Sequence, residues 1–187
     1  MIFDINVLYF FYNQYANNNY KYIDTPWLVS LESINLTLPK DKKVFPVLNS
    51  YLVGSAEQGF IELLKTNHLT DDKYMSFSPC FRDEGVYDDL HKPYFSKLEI
   101  FKITNKYSIL LNDALKSINN YISHRGLEKY NSVSIDNTEQ GMDILLNDIE
   151  IGSYGNRNIN IQNSDVTYSY GTGVAMPRFL QTLKKTY

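Results

Sequence analysis

Residues 76–102 read SFSPCFRDEGVYDDLHKPYFSKLEIFK, two alternating runs joined by a short acidic loop. On the first arm Met75, Phe77, Pro79 and Phe81 share one parity, and Ser76, Ser78, Cys80, Arg82 and Glu84 share the other. On the second arm Phe95, Lys97 and Glu99 oppose Leu98 and Ile100. Period two sends successive side chains to opposite faces, so the pattern predicts an antiparallel hairpin with one face against a core. Its other face then carries a guanidinium, an aromatic plane and carboxylates together. A guanidinium fork matches a phosphate, and a ring offers a base something to stack on. The same alternation equally describes a hairpin whose charges are simply solvated, because it fixes geometry and not function.

Outward from the hairpin, the chain reads as one domain. Its 187 residues suffice for one respectable core and not comfortably for two. With 43% hydrophobic and 21% charged residues the composition is that of an ordinary globular protein, and 16 Tyr and 10 Phe predict an aromatic-rich core. A net charge of -3 and a pI near 5.6 argue against a broad basic surface for nucleic acid. The one cysteine, Cys80, excludes an internal disulfide and any Cys-rich metal site, which makes a cytoplasmic location the expectation. The start of the chain lacks a basic n-region, and its apolar run is short and broken by Asn, so neither a secretory signal nor a membrane span is expected.

Ile5, Leu8, Tyr9 and Tyr12 form the stripe of an amphipathic helix. Residues 22–39 read as extended around Pro26. Residues 45–53 read as a strand, followed by Ser55 as N-cap of a helix from Glu57 to about Thr66. Residues 106–122 have a helical apolar pattern. Residues 143–152 and 165–171 read as two further strands, the Asn-rich 156–163 as loop or edge, and Met176, Phe179, Leu180 and Leu183 as the face of a last helix. The order predicts an α+β fold, a mostly antiparallel sheet flanked by helices.

Two more segments carry chemistry. YSYGTGVAMPRFLQTL (168–183) places Gly171 and Gly173 in an expected strand-ending turn, where glycine admits close backbone approach, before a helix start bearing Pro177 and Arg178. A lone Gly-x-Gly is more often a simple turn than a phosphate site. In NDIEIGSYGNR (147–157), Glu150 lies between Ile149 and Ile151 and points away from them; near phosphates it would suit Mg2+, and otherwise it is a surface carboxylate. His68, His91 and His124 lack metal-ligand spacing, and no Gly-x-Ser-x-Gly elbow occurs.

Taken jointly, these segments resemble the catalytic core of class II aminoacyl-tRNA synthetases. FRDE (81–84), a loop, HKPYF (91–95) and SKLE (96–99) resemble motif 2; GTGVAMPRF (171–179) resembles motif 3, with Ala175 where the third glycine usually sits; YIDTPWL (22–28) resembles motif 1 through Pro26. The resemblance runs from about residue 5 to 187 and leaves no room for an anticodon-binding domain. It implies that Arg82 holds the α-phosphate of ATP, that Glu84 sits near the adenine or the amino acid, and that His91 reaches the γ-phosphate. It implies further that Phe95 and Arg178 enclose the adenine, and that Glu150 holds Mg2+ and phosphates. SAE (55–57) within VGSAEQ resembles a Thr-x-Glu loop, which implies Ser55 and Glu57 near the amino acid, with Glu57 on its ammonium. Glu99 would face the same substrate. Ser153 and Arg157 either line that pocket or belong to a structural turn.

The activity so implied is ATP-dependent formation of an aminoacyl-adenylate and its transfer to an acceptor. That acceptor is a carrier protein, another protein's side chain, a small molecule or a tRNA acceptor end. A non-catalytic amino-acid or nucleotide-binding module and a minimal tRNA synthetase remain the alternatives. A homodimer through the motif 1 region is also implied.

Overall fold

The computed structural model describes residues 4–38, 43–83, 85 and 87–184. In chain order the elements are α1 (Ile5–Asn17), β1 (Tyr20–Tyr22), β2 (Leu28–Val29), α2 (Leu31–Asn35), β3 (Phe45–Val47), β4 (Ser50–Leu52) and α3 (Ala56–Lys65). They continue as β5 (Lys73–Phe81), β6 (Tyr94–Lys102), α4 (Ser108–His124), β7 (Val133–Thr138), β8 (Gly141–Leu146), β9 (Ile149–Ile161), β10 (Ser164–Met176) and α5 (Arg178–Thr182). Seven strands form one sheet in the order β1-β5-β6-β10-β9-β8-β7, antiparallel except for the β1–β5 pair, and β2-β4-β3 form a small second sheet.

The expected hairpin is β5–β6, with Cys80 opposite Phe95 and Ser76 opposite Glu99. Its odd residues on β5 and even residues on β6 (Met75, Leu98, Ile100) join α1, α4 and α5 in one core, where Phe11 packs on Tyr121 and Phe179. On the opposite face α3 covers one end, through a stack of Phe60, Phe101 and Tyr168 with centroids 4.7 and 4.8 Å apart. Among the described residues no helix covers the rest of that face. There the floor consists of Lys97, between Ser78 and Ala175, and Glu99, between Ser76 and Thr172. These small neighbours leave the long side chains room to stand above the sheet.

Several local expectations are corrected by the structure. The stripe Ile5, Tyr9, Tyr12 lies on the outside of α1, with Ile5 60% and Tyr9 65% exposed, and Val7, Phe11 and Tyr15 are buried instead. Both stripes are apolar, so periodicity could not choose between them. The extended stretch 22–39 contains α2, capped by Ser30. Residues 45–53 are a hairpin turning at Leu48, and 143–152 are two strands turning at Asn147 and Asp148, both residues at positive φ. The Asn-rich 156–163 is not a loop: β9 runs through it to a turn at Gln162 and Asn163. The last helix is only five residues long, and Met176 ends a strand rather than opening a helix.

Candidate active site

The uncovered face is a cleft with two connected chambers. The larger, about 300 Å³, is lined by Ser55, Glu57, Glu99, Arg157 and Tyr170 at one end. The smaller, about 100 Å³, is lined by His91, Phe95, Ala175, Pro177 and Arg178. Arg82, Lys97, Glu150, Ser153 and Thr172 border both chambers and form the middle of the cleft. Residues as far apart as Ser55 and Arg178 therefore meet here, because β6, β9 and β10 deliver side chains to one face and the adjoining loops and helix starts supply the rest.

In the middle, the Arg82 Nε donates to the carbonyl of Gly54 at 2.9 Å, and its guanidinium carbon lies 5.3 Å from the Phe95 ring centre. One nitrogen and one face of the fork fix its orientation, and its terminal nitrogens have no hydrogen-bond partner among the described residues. Arg178 reaches the rim from the start of α5, 3.7 Å from the Glu150 carboxylate. His91 sits in the loop between β5 and β6, where Asp88 accepts from its backbone N–H at 2.7 Å and contacts its ring Nδ1 at 2.9 Å. This histidine contact, first among several, holds the Asp88 carboxyl down at about 2. Glu84 lies outside the described residues.

At the far end two buried carboxylates are organised differently. Glu99 accepts from Ser55 Oγ at 2.5 Å and from Lys97 Nζ at 2.8 Å, and the amide of Glu57 lies 3.3 Å from its second oxygen. Burial opposes its ionisation, yet the Lys97 ammonium holds the carboxyl below the usual range. Glu57 receives two bonds on one oxygen, from Arg157 Nε and from the Tyr168 hydroxyl, both at 2.8 Å, and Arg157 in turn lies over the Tyr170 ring. Its Oε2 has no partner among the described residues. Burial pushes the Glu57 carboxyl up, against the pull of Arg157. Ser55 is committed to the protein: it caps α3 and bonds Glu99.

Gly171 and Gly173 do not line the cleft. The Gly-Thr-Gly segment is no turn; it lies within β10, whose register against β6 shifts between Thr172 and Val174. The shift resets the alternation, so that Thr172 and Ala175 both face the cleft while Val174 points into the core. Beneath it, the Tyr15 hydroxyl donates to the Gly173 carbonyl at 3.0 Å and the Tyr154 hydroxyl donates to that of Thr172. A Cβ on Gly171 would overlap the Tyr154 ring, and one on Gly173 would meet the Leu98 carbonyl at 2.8 Å and the Tyr15 ring at 3.0 Å. From below, Gly171 makes room for the Tyr154 ring, and Gly173 for the Tyr15 ring and the Leu98 carbonyl.

Sequence reasoning left Lys97, Tyr170 and Thr172 out of the site, although the alternation that selected Phe95 and Glu99 also put Lys97 beside them. Arg157 is a strand residue of the cleft wall, not part of a turn. Asp143 was missed altogether. It pairs with Ser153 across β8 and β9, one of its carboxylate oxygens is buried without a hydrogen-bond partner, and burial raises its carboxyl, with Glu150 adding to the effect.

The sheet order and flanking helices define the class II aminoacyl-tRNA synthetase catalytic fold. The chain is similar to seryl-tRNA synthetase from Pyrococcus horikoshii, solved in complex with ATP, with a TM-score of 0.74 and 14% identity over 96% of this chain and 49% of that one. It is similar also to pyrrolysyl-tRNA synthetase from Desulfitobacterium hafniense, with a TM-score of 0.67 and 13% identity over 95% of this chain and 68% of that one. The chain thus spans about half the length of the seryl enzyme. No family model and no curated protein matches it by sequence.

Proposed function

We propose that the protein activates an amino acid with ATP, forming an aminoacyl-adenylate, and passes the aminoacyl group to an acceptor other than a conventional full tRNA. The observation that supports this most directly is the single cleft holding Phe95, Arg178 and His91 at one end, Arg82 in the middle and Glu57 at the other. A nucleotide lying along it has its base between Phe95 and Arg178 and its α-phosphate at Arg82. An amino acid with its ammonium on Glu57 Oε2 directs its carboxylate toward that phosphorus.

The reaction joins a carboxylate oxygen to the α-phosphorus and releases pyrophosphate. The nucleophile is already ionised at neutral pH, so no protein base is needed, and catalysis rests on alignment and on neutralising phosphate charge. Arg82 supplies a fixed fork for the equatorial oxygens. Glu150 would hold Mg2+ in this reading, and the buried Asp143 oxygen that has no hydrogen-bond partner among the described residues supports an oxygen-seeking cation near it. Bound there, the cation would neutralise phosphate charge. Among the described residues no helix is long and apolar enough to cross a membrane.

Amino-acid-dependent exchange of labelled pyrophosphate into ATP tests the reading. Exchange with at least one amino acid is expected, and none with any of them would overturn it. Glu57→Gln should raise the KM for that amino acid by about tenfold or more while leaving the KM for ATP nearly unchanged, since the amide keeps the shape but loses the charge facing the ammonium.

The proposal includes a homodimer. The exposed side of α1 forms with Tyr22 and Phe77 an open apolar groove of about 440 Å³, which a second copy would cover. Tyr9→Asp should leave the fold intact, because the side chain stands in solvent, and shift the mass measured by light scattering from dimer to monomer. A wild-type monomer would remove this part of the proposal.

A further inference from the structure

We infer that Tyr15 and Tyr154 are positioning residues for nucleotide binding, acting from beneath the sheet through the bulge in β10. The inference rests on the ATP-dependent reading above and concerns residues that touch none of the reacting groups. Both side chains are buried, at 0% and 1% exposure, and lie on the core side, opposite the cleft. Their hydroxyls take consecutive carbonyls at the register shift, Tyr154 that of Thr172, the last residue in register before it, and Tyr15 that of Gly173, the extra residue.

A bulge leaves backbone groups without ladder partners, and a buried carbonyl without a partner is costly. Here two phenols satisfy those groups. Burial raises both phenols well above their ordinary range, so they remain neutral donors throughout the working pH. The consequence for the cleft follows from parity. With the bulge in place Ala175 faces the cleft and Met176 the core, Pro177 follows on the cleft wall, and Arg178 opens α5 at the rim. Were the register to slip by one residue, everything after Gly173 would exchange faces. The amino-acid end lies ahead of the shift, since Glu57 is held by α3 and by Tyr168, and Arg157 stands on β9 over Tyr170, both tyrosines preceding Thr172 on β10. Loosening the clamp should therefore disturb the nucleotide end selectively.

Tyr15→Phe keeps the ring and removes one donor. In pyrophosphate exchange well below the melting temperature, it should raise the KM for ATP roughly 5- to 10-fold and leave the KM for the amino acid unchanged. Tyr20→Phe is the control. Tyr20 packs against Tyr15 at 5.2 Å and its hydroxyl is bonded to Asp113, not to the bulge. It should lower stability without moving the KM for ATP. A folded Tyr15→Phe protein with wild-type KM for ATP, both KM values rising together, or an equal effect from Tyr20→Phe would overturn the inference. Should Tyr15→Phe fail to fold, Tyr154→Phe carries the same test through the Thr172 carbonyl. If the wild type shows no exchange, the proposed function falls, and amide hydrogen exchange over residues 172–176 decides the clamp alone. Faster exchange in Tyr15→Phe but not in Tyr20→Phe supports it, and no difference from wild type overturns it.

Discussion

Replacing Arg82 by alanine is expected to lower amino-acid-dependent pyrophosphate exchange by about 10³-fold in kcat/KM, equivalent to about 4 kcal/mol of transition-state stabilisation. The expectation follows from how the side chain is held. Its Nε is fixed by the Gly54 carbonyl and its plane lies beside Phe95, so the terminal nitrogens are aimed before any phosphate arrives. Donors aligned in advance do not have to be reorganised when charge develops, which is why their loss weighs on the rate rather than on the fold. Arg82→Lys should recover only part of the loss, since an ammonium is a point charge without the fork. The melting temperature should move little in either variant, because the one hydrogen bond described for Arg82 lies at a half-buried position. Unchanged exchange in Arg82→Ala would mean that the middle of the cleft is not where phosphate chemistry occurs.

Gly171→Ala should be a strongly damaging small change to the fold. The added methyl has no room, since the Tyr154 ring occupies the space from the core side and Ile100 closes it from β6. Overpacking of this kind costs about 2–3 kcal/mol, or a drop of roughly 5–10 °C in melting temperature for a chain of this size. Thermal unfolding of Gly171→Ala, Tyr154→Leu and the double variant gives the decisive comparison. If the tyrosine ring is the obstacle, Gly171→Ala costs much less once that ring has gone, and the two effects do not add. Additive effects would show that the glycine serves some other requirement, such as close approach of a ligand from the cleft.

The glycine result bears on how a sequence of this type is read. Gly171 and Gly173 look like phosphate-approach glycines because they precede a helix that carries an arginine. In the folded chain they make room for two tyrosines, one on β9 and 18 residues from the carbonyl it binds, the other on α1 and 158 residues from its own. Arg178 in turn is delivered to the cleft by a strand that does not turn at all. The bulge was invisible because nothing local distinguishes an inserted residue from an ordinary one; it exists only relative to the partner strand β6.

What the sequence determined by itself is what period and local hydrogen bonding can decide. The β5–β6 hairpin, the faces carrying Arg82 and Phe95, the Ser55 cap of α3 and the helix α4 all follow from patterns within about ten residues, where side-chain direction depends on chain geometry alone. Tertiary structure decided whatever required choosing between two locally equal options. On α1 both apolar stripes satisfy the helical repeat, and packing of Phe11 and Tyr15 against the sheet made one of them the core and left Tyr9 outside. Likewise, only assembly of the fold brings Arg157 to Glu57 and Ser55 to Glu99, because a carboxylate taken out of water must find its partners on other elements, and burial is not a property of any short segment.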